Sequence, residues 1–199
     1  MGAIGENAEI VQGARHKMFF AVNRTMFKFG EILYIVICGM MMKLLTVENI
    51  DHLTKVKALF QEYLETRPND PALIDFPKEI RNLPGEYAPP GGAIILACLD
   101  DEPAGCVAVQ RIEDDICEMK RLYVPPRFRE KGLGRALVTA ILKEALKMGY
   151  YRMRLDTIPG MKKAQVLYES FGFHEIPAYR KNPNKGTKYY EIKLSKRPE

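Results

Sequence analysis

The chain has 199 residues, 47% apolar and 28% charged, with a net charge of +5. That length and balance fit one soluble globular domain with enough chain for a real core. Lysines and arginines are scattered and gather mainly around positions 120–135 and in the C-terminal strand region, so no nucleic-acid surface is indicated. Cys38, Cys98, Cys106 and Cys117 form no C-x-x-C pair, and three of them sit in apolar runs. Buried reduced thiols in a cytoplasmic protein are the expectation.

Residues 1–41 differ in pattern from the remainder of the chain. Two apolar patches are broken by Asn23, Arg24, Lys28 and Glu31, and the longest uncharged run, Ile32 to Met42, is too short for a membrane span of roughly 18 residues or more. The run lies late and no small-residue cleavage site comes after it, so a signal peptide fits poorly. Three readings remain: a stretch translated from a start codon placed too early, an added element packed on the domain, or an interfacial anchor. Met41 and Met42 stand where a compact domain would begin, which favours the first. The expected division is an N-terminal extension, 1–41, and one domain, 42–199. A strand at Ile32 to Cys38 that extends the sheet is the opposing possibility.

From Lys43 the pattern becomes regular. Lys43 to Val47 reads as a strand, and Glu48 to Arg67 as an amphipathic helix with Ile50, Leu53, Val56, Leu59, Phe60 and Leu64 on one face. Pro68 to Pro71 breaks it, a short helix over about 71–82 comes next, and YAPPGG (Tyr87 to Gly92) is a loop. Two apolar runs, from Ala93 and from Glu102, form a hairpin around Asp100-Asp101. A further strand, CEMKRLYV, starts near Ile116 and is stopped by Pro125-Pro126. A helix carries Leu133, Leu137, Ile141 and Ala145 on one stripe and ends at Gly149. An alternating strand places Met153, Leu155 and Thr157 opposite Arg152, Arg154 and Asp156. A helix over about Met161 to Ser170 and a closing strand, KYYEIKL, complete the order β-α-α-β-β-β-α-β-α-β.

The turn between the strand at 117–124 and the helix from Leu133 is basic and glycine-punctuated: Arg129-Glu130-Lys131-Gly132-Leu133-Gly134. Unpaired N–H groups and the helix dipole make such a junction an anion site; an ordinary strand-to-helix connection is the plainer alternative. The spacing fits neither a dinucleotide fingerprint nor a P-loop. Arg129-x-x-Gly132-x-Gly134 resembles the [RQ]-x-x-G-x-[GA] signature of the GNAT N-acetyltransferases, and LYESFGF (Leu167 to Phe173) resembles their L-Y-x-x-x-G-F. The resemblance runs from Lys43 to Leu194. It implies a mixed α/β GNAT fold, a twisted sheet with helices on both faces, and acetyl-coenzyme A as co-substrate. It also implies transfer of the acetyl group by direct attack of a primary amine on a small molecule. By the same resemblance Arg129, Glu130, Lys131, Gly132, Leu133, Gly134 and Arg135 surround the pyrophosphate, while Leu122, Tyr123 and Val124 run beside the pantetheine arm. Met161 stands where many relatives have an asparagine that hydrogen-bonds that arm, so the polar contact is lost or supplied elsewhere. A coenzyme-binding module without turnover is the alternative function.

Glu118 matches the position of a glutamate that deprotonates the amine through water in well-studied relatives. Strand alternation puts it on one face with Lys120 and Leu122; the plainer reading is a structural pair with Lys120 or Arg154. Tyr168 matches the tyrosine that protonates the departing thiolate, since a phenol stays protonated at neutral pH; it could equally be core. The acceptor pocket is expected between the first two helices, the YAPPGG loop and the loop from Tyr179 to Lys188, with Tyr63, Phe76, Tyr87 and Tyr179 beside Arg180 and Lys181. Aromatic walls with cations point to a small amine bearing a carboxylate or phosphate. His16, His52 and His174 are isolated, so no metal is expected. A homodimer stays open.

Overall fold

The computed structural model describes residues 17–21, 24–29, 32–37 and 40–194, with side chains from Met40 onward. His16 and Cys38 lie outside the described residues. The strands are β1 Lys17–Ala21, β2 Arg24–Phe29, β3 Ile32–Ile37, β4 Met40–Thr46, β5 Ala93–Leu99, β6 Glu102–Arg111, β7 Ile116–Tyr123, β8 Arg152–Thr157, β9 His174–Ile176 and β10 Lys188–Lys193. The helices are α1 Ile50–Glu65, α2 Phe76–Arg81, α3 Leu133–Lys147 and α4 Lys162–Glu169. All ten strands join in one sheet in the order β1-β2-β3-β4-β5-β6-β7-β8-β10-β9. Every neighbouring pair is antiparallel except β7 with β8.

Local chemistry explains the helices. Asn49 caps α1 by accepting from the His52 backbone N–H at 2.9 Å, and Val56, Leu59, Phe60 and Tyr63 form its buried stripe. Ile50, expected on that stripe, is 76% exposed because it lies at the first helical position, before the stripe meets the sheet. The segment expected as one helix over 71–82 divides into a single 3-10 turn, Pro71–Leu73, and α2. Each piece begins with a proline at its first or second position, where a missing N–H costs nothing. The α3 stripe is buried as expected, from Leu133 through Leu137 and Ile141 to Ala145.

The sheet is covered on both faces. α3 and α4 close one side over Val107, Val109, Met119, Met153 and Leu155. α1 and α2 close the other over Leu96, Cys106, Ala108 and Tyr123. β5 reads AIILACL without alternation because each of its residues is buried, one set on each side.

Two parts of the sheet fall outside the regular sequence pattern. β1, β2 and β3 lie in the stretch before Met40, and β3 pairs antiparallel with β4 from Leu33↔Leu44 to Ile37↔Met40. β9, three residues long, pairs with β10; it is too short to show a period in sequence.

Candidate active site

β7 and β8 pair at only three positions, the last being Glu118 with Arg154. Just beyond, β7 carries a bulge. Lys120 pairs with Ala108 and Tyr123 with Cys106, leaving Arg121 and Leu122 opposite Val107, with Arg121 at φ 57°. An extra residue bends its strand and shifts the alternation. Leu122 is therefore not on the face of Glu118 and Lys120; it packs with the α3/α4 side. The expected shared face fails at this left-handed arginine. Its conformation is held by the Arg121 guanidinium, which donates to both Glu79 oxygens (Nε at 2.8 Å) and stacks 4.2 Å from the Phe76 ring centre.

Where the strands part, a cleft of about 310 Å³ opens through the sheet. On the α3/α4 side it meets Leu122, Thr157, Met161 and Tyr168; on the other side it meets Tyr63, Lys120, Arg121 and Arg180. Tyr168 is buried with its ring 5.9 Å from that of Phe173, and burial, with Tyr63 and Asp156 adding, pushes its hydroxyl above the ordinary tyrosine value. It thus holds its proton at neutral pH, whichever role it plays. Thr157, 4% exposed, has a buried hydroxyl oxygen with no hydrogen-bond partner. Its sequence signal was a hydroxyl on the apolar side of an alternating strand.

The glycine turn enters from the α3/α4 side. Gly132 is the N-cap of α3 at φ 81°, with no side-chain cap on the helix. A Cβ at Gly134 would meet only Leu167, at an ordinary 3.5 Å, so the fold itself has no need of glycine there. An uncapped helix start beside bare glycine is what a phosphate requires, and the residues fit the pyrophosphate of coenzyme A. The side chains around it are spread over several tasks. Arg129 donates from Nε to the Val124 carbonyl at 3.0 Å, occupying one backbone acceptor expected for the pantetheine arm. Arg135 donates to Ser170 at 2.8 Å and stacks on Phe171. Glu130 faces Lys163 at 3.3 Å, both exposed, and Lys131 lies over the Phe128 ring. The Tyr123 hydroxyl donates to Glu62 at 3.1 Å, away from the cleft.

Glu118 is 1% exposed and closely held. It receives Gln110 Nε2 at 3.1 Å, the Tyr179 hydroxyl at 2.7 Å and Arg180 Nε at 3.0 Å, with Lys120 Nζ at 3.8 Å. Arg154 pairs instead with Glu191 and Glu113. Burial and the Glu118 charge drive the Tyr179 hydroxyl well above its ordinary value, so it remains a donor.

The 179–184 segment straps the acceptor side shut. Arg180 also donates to Asp156 at 2.9 Å, Asn182 to Asp156 at 2.7 Å, and Asn184 to Asp70 at 2.7 Å. Asp70 in turn caps the Pro71–Leu73 turn through Ala72 N–H. Of the walls expected from sequence, Tyr63, Arg180 and Lys181 line the cleft, whereas the Tyr179 hydroxyl is turned to Glu118 and Phe76 and Tyr87 are core. The YAPPGG loop borders a different cavity, with Leu53, Glu144 and Met148. That loop leads directly into β5, and the order of strands in space, not visible in sequence, sets β6 and β7 between β5 and β8, away from the splay. Among the described residues no cluster of metal-ligating side chains occurs.

A twisted sheet splayed beside an uncapped glycine-start helix defines a class, the acyl-coenzyme A transferases. Residues 54–173 match the family model of the acetyltransferase (GNAT) family. The chain belongs to that family and is an acetyl-CoA-dependent acetyltransferase. It is 39% identical over 142 residues to an uncharacterized N-acetyltransferase of Schizosaccharomyces pombe, covering 70% of this chain and 87% of that one. It is 37% identical over 91 residues to human N-acetylaspartate synthetase, covering 45% of this chain but 30% of that one. The fold matches that of an acetyltransferase from Salmonella typhimurium solved with its cofactor acetyl-CoA, with TM-score 0.58, 18% identity and coverage of 78% and 95%.

Proposed function

We propose that the protein acetylates the primary amine of a small molecule. One observation carries the reading: on one side the cleft is bordered by Met161 and Tyr168 at α4, against which the uncapped start of α3 packs, and on the other side by a small strapped chamber. A chamber bounded by Arg180 to Asn184 and by Pro71 to Asp75 favours a compact acceptor over a protein chain. The likeness to N-acetylaspartate synthetase, whose name specifies an amino-acid product, supports the same size and class of acceptor.

Bound acetyl-CoA supplies the acetyl group as an activated thioester. Residues 129–135 hold the pyrophosphate through backbone N–H groups and the helix dipole. Leu122 and Met161 line the arm through apolar contact, and the buried Thr157 hydroxyl offers the polar partner that Met161 cannot. Tyr168 holds a proton at its hydroxyl for the departing sulfur. The oxygens of Glu118 are engaged by three donors, so Glu118 acts by positioning Arg180, Tyr179 and Lys120 rather than by direct access to the amine. The three free buried cysteines, Cys98, Cys106 and Cys117, agree with a reducing compartment such as the cytoplasm. An amine screen with acetyl-CoA, read by free-thiol release, tests the proposal. Release with a set of small amines is the expected result; tight acetyl-CoA binding with no release above hydrolysis for any of them would refute it.

A further inference from the structure

The basic side chains of the acceptor chamber are not equivalent. Arg67 pairs with Asp70, Arg121 with Glu79, and Arg180 with both Glu118 and Asp156. Each arginine therefore has a carboxylate behind it. Lys120 has none within hydrogen-bond reach. Its nearest acid is Glu118 Oε2 at 3.8 Å, and that oxygen already receives Gln110. The lysine side chain is 15% exposed and lines the cleft, so its ammonium is paired to Glu118 only at long range and turns its N–H donors to the cleft.

Burial is the main reason its pKa falls below the ordinary 10.5; Glu118 opposes the fall, and Arg121 and Arg180 add to it, with Glu79 opposing weakly from α2. An ammonium that lines a cleft and is held by its carboxylate only at 3.8 Å has donors left for whatever enters the cleft. The position says what arrives. Lys120 pairs across the ladder with Ala108, whose side chain belongs to the α1/α2 face. The helix start that fits coenzyme A phosphates is on the opposite face. A group that engages these donors therefore comes with the acetyl acceptor, not with the coenzyme phosphates.

We infer that the acceptor of this acetyltransferase carries an oxyanion, carboxylate or phosphate, and that Lys120 is the residue that selects for it. The inference rests on the small-amine reading of the chamber. It assigns Lys120 to specificity: the ammonium binds the anionic end and leaves the amine free toward the side of the cleft where Tyr168 stands. A lysine is suited to this because its three donors rotate to a single oxygen.

The test pairs matched acceptors. β-Alanine, glycine, aspartate and γ-aminobutyrate are each compared with their carboxamides, and O-phosphoethanolamine with ethanolamine, by thiol release at saturating acetyl-CoA. The two sets separate carboxylate from phosphate. Wild type is expected to prefer one anionic set over its neutral partners in kcat/KM by roughly 10–100-fold, the size of a charge-assisted hydrogen bond. Lys120→Met is expected to erase most of that preference through KM, and Lys120→Arg to retain part of it. Acetyl-CoA affinity of each variant, by calorimetry, reports that the fold and the other side of the cleft are intact. Equal or better use of the neutral partners by wild type overturns the inference while leaving acetylation of small amines standing. An undiminished preference in Lys120→Met also overturns it. If no amine is acetylated, the small-amine reading has failed, and this assignment fails with it.

Discussion

Replacing Gly134 by aspartate separates what the fold needs at α3 from what the coenzyme needs. Gly134 is the second residue of the helix, and its Cβ would meet only Leu167 Cδ2, at 3.5 Å. The backbone there does not require positive φ, so a side chain enters without strain. Replacing a helical glycine by aspartate contributes only about 0.3 kcal/mol of helix propensity, and an acid in the first turn adds about 0.3–1 kcal/mol through the dipole. The free variant is therefore expected to melt at the same temperature as wild type or up to about 4 °C above it. Binding should move the other way. A carboxylate about 5 Å from one phosphate charge costs about 3 kcal/mol at an effective dielectric of 20, or about a hundredfold in Kd, before any steric loss. Calorimetry with acetyl-CoA reads this directly. Acetylpantetheine, which lacks the pyrophosphate, serves as the control and should bind both proteins alike. Unchanged acetyl-CoA affinity in a folded Gly134→Asp variant would refute the phosphate site; equal weakening for acetylpantetheine would place the effect on the arm instead.

Tyr168→Phe is expected to lower kcat by about 10²–10⁴-fold with little change in acetyl-CoA affinity; wild-type turnover at every pH would make the residue packing alone. Thr157→Val replaces an unpartnered buried hydroxyl with a methyl of the same shape and should stabilise the free protein by about 1 kcal/mol in urea unfolding, while weakening acetyl-CoA binding. Although burial pulls it up, Glu79 is held below its ordinary 4.5 by hydrogen bonds and charge from Arg121 and by the Tyr87 hydroxyl. The stability it contributes is fully present above pH 4.5 and is lost as pH falls through the lowered folded value. Urea midpoints of wild type and Glu79→Gln should therefore converge in acid; a constant gap across that range would count against the pairing. A chain beginning at Met42 lacks β1, β2 and β3 and leaves β4 without its β3 partner. It is expected to fold and bind acetyl-CoA as tightly as the full chain, and aggregation in size exclusion or a large loss of melting temperature would show that these strands belong to the domain.

Local rules were enough for a good part of this molecule. The stripe of α3, the apolar face of α1, the proline stop after β7 and the glycine turn are short-range features, with period and chemistry contained in a dozen or so residues. Those features, with the match of Arg129-x-x-Gly132-x-Gly134 and LYESFGF, made the fold class legible from the chain alone. The acceptor chamber was not legible, because it is assembled from residues far apart in sequence. Tyr179 and Arg180 reach Glu118, and Asn184 reaches Asp70, only after β10 has entered the sheet between β8 and β9. The face on which Leu122 lies depends on a bulge, and strand alternation carries no sign of one; Arg121 takes its left-handed turn because Glu79 and Phe76, some forty residues earlier, hold its side chain. The state of Lys120 is decided the same way. Sequence placed a lysine two residues from a glutamate and implied a pair; the pair forms, but only at 3.8 Å, because packing also brings Gln110, Tyr179 and Arg180 to that glutamate at closer range. Pairing of buried charges is a competition among all groups the fold brings within reach, and only the tertiary structure determines the competitors.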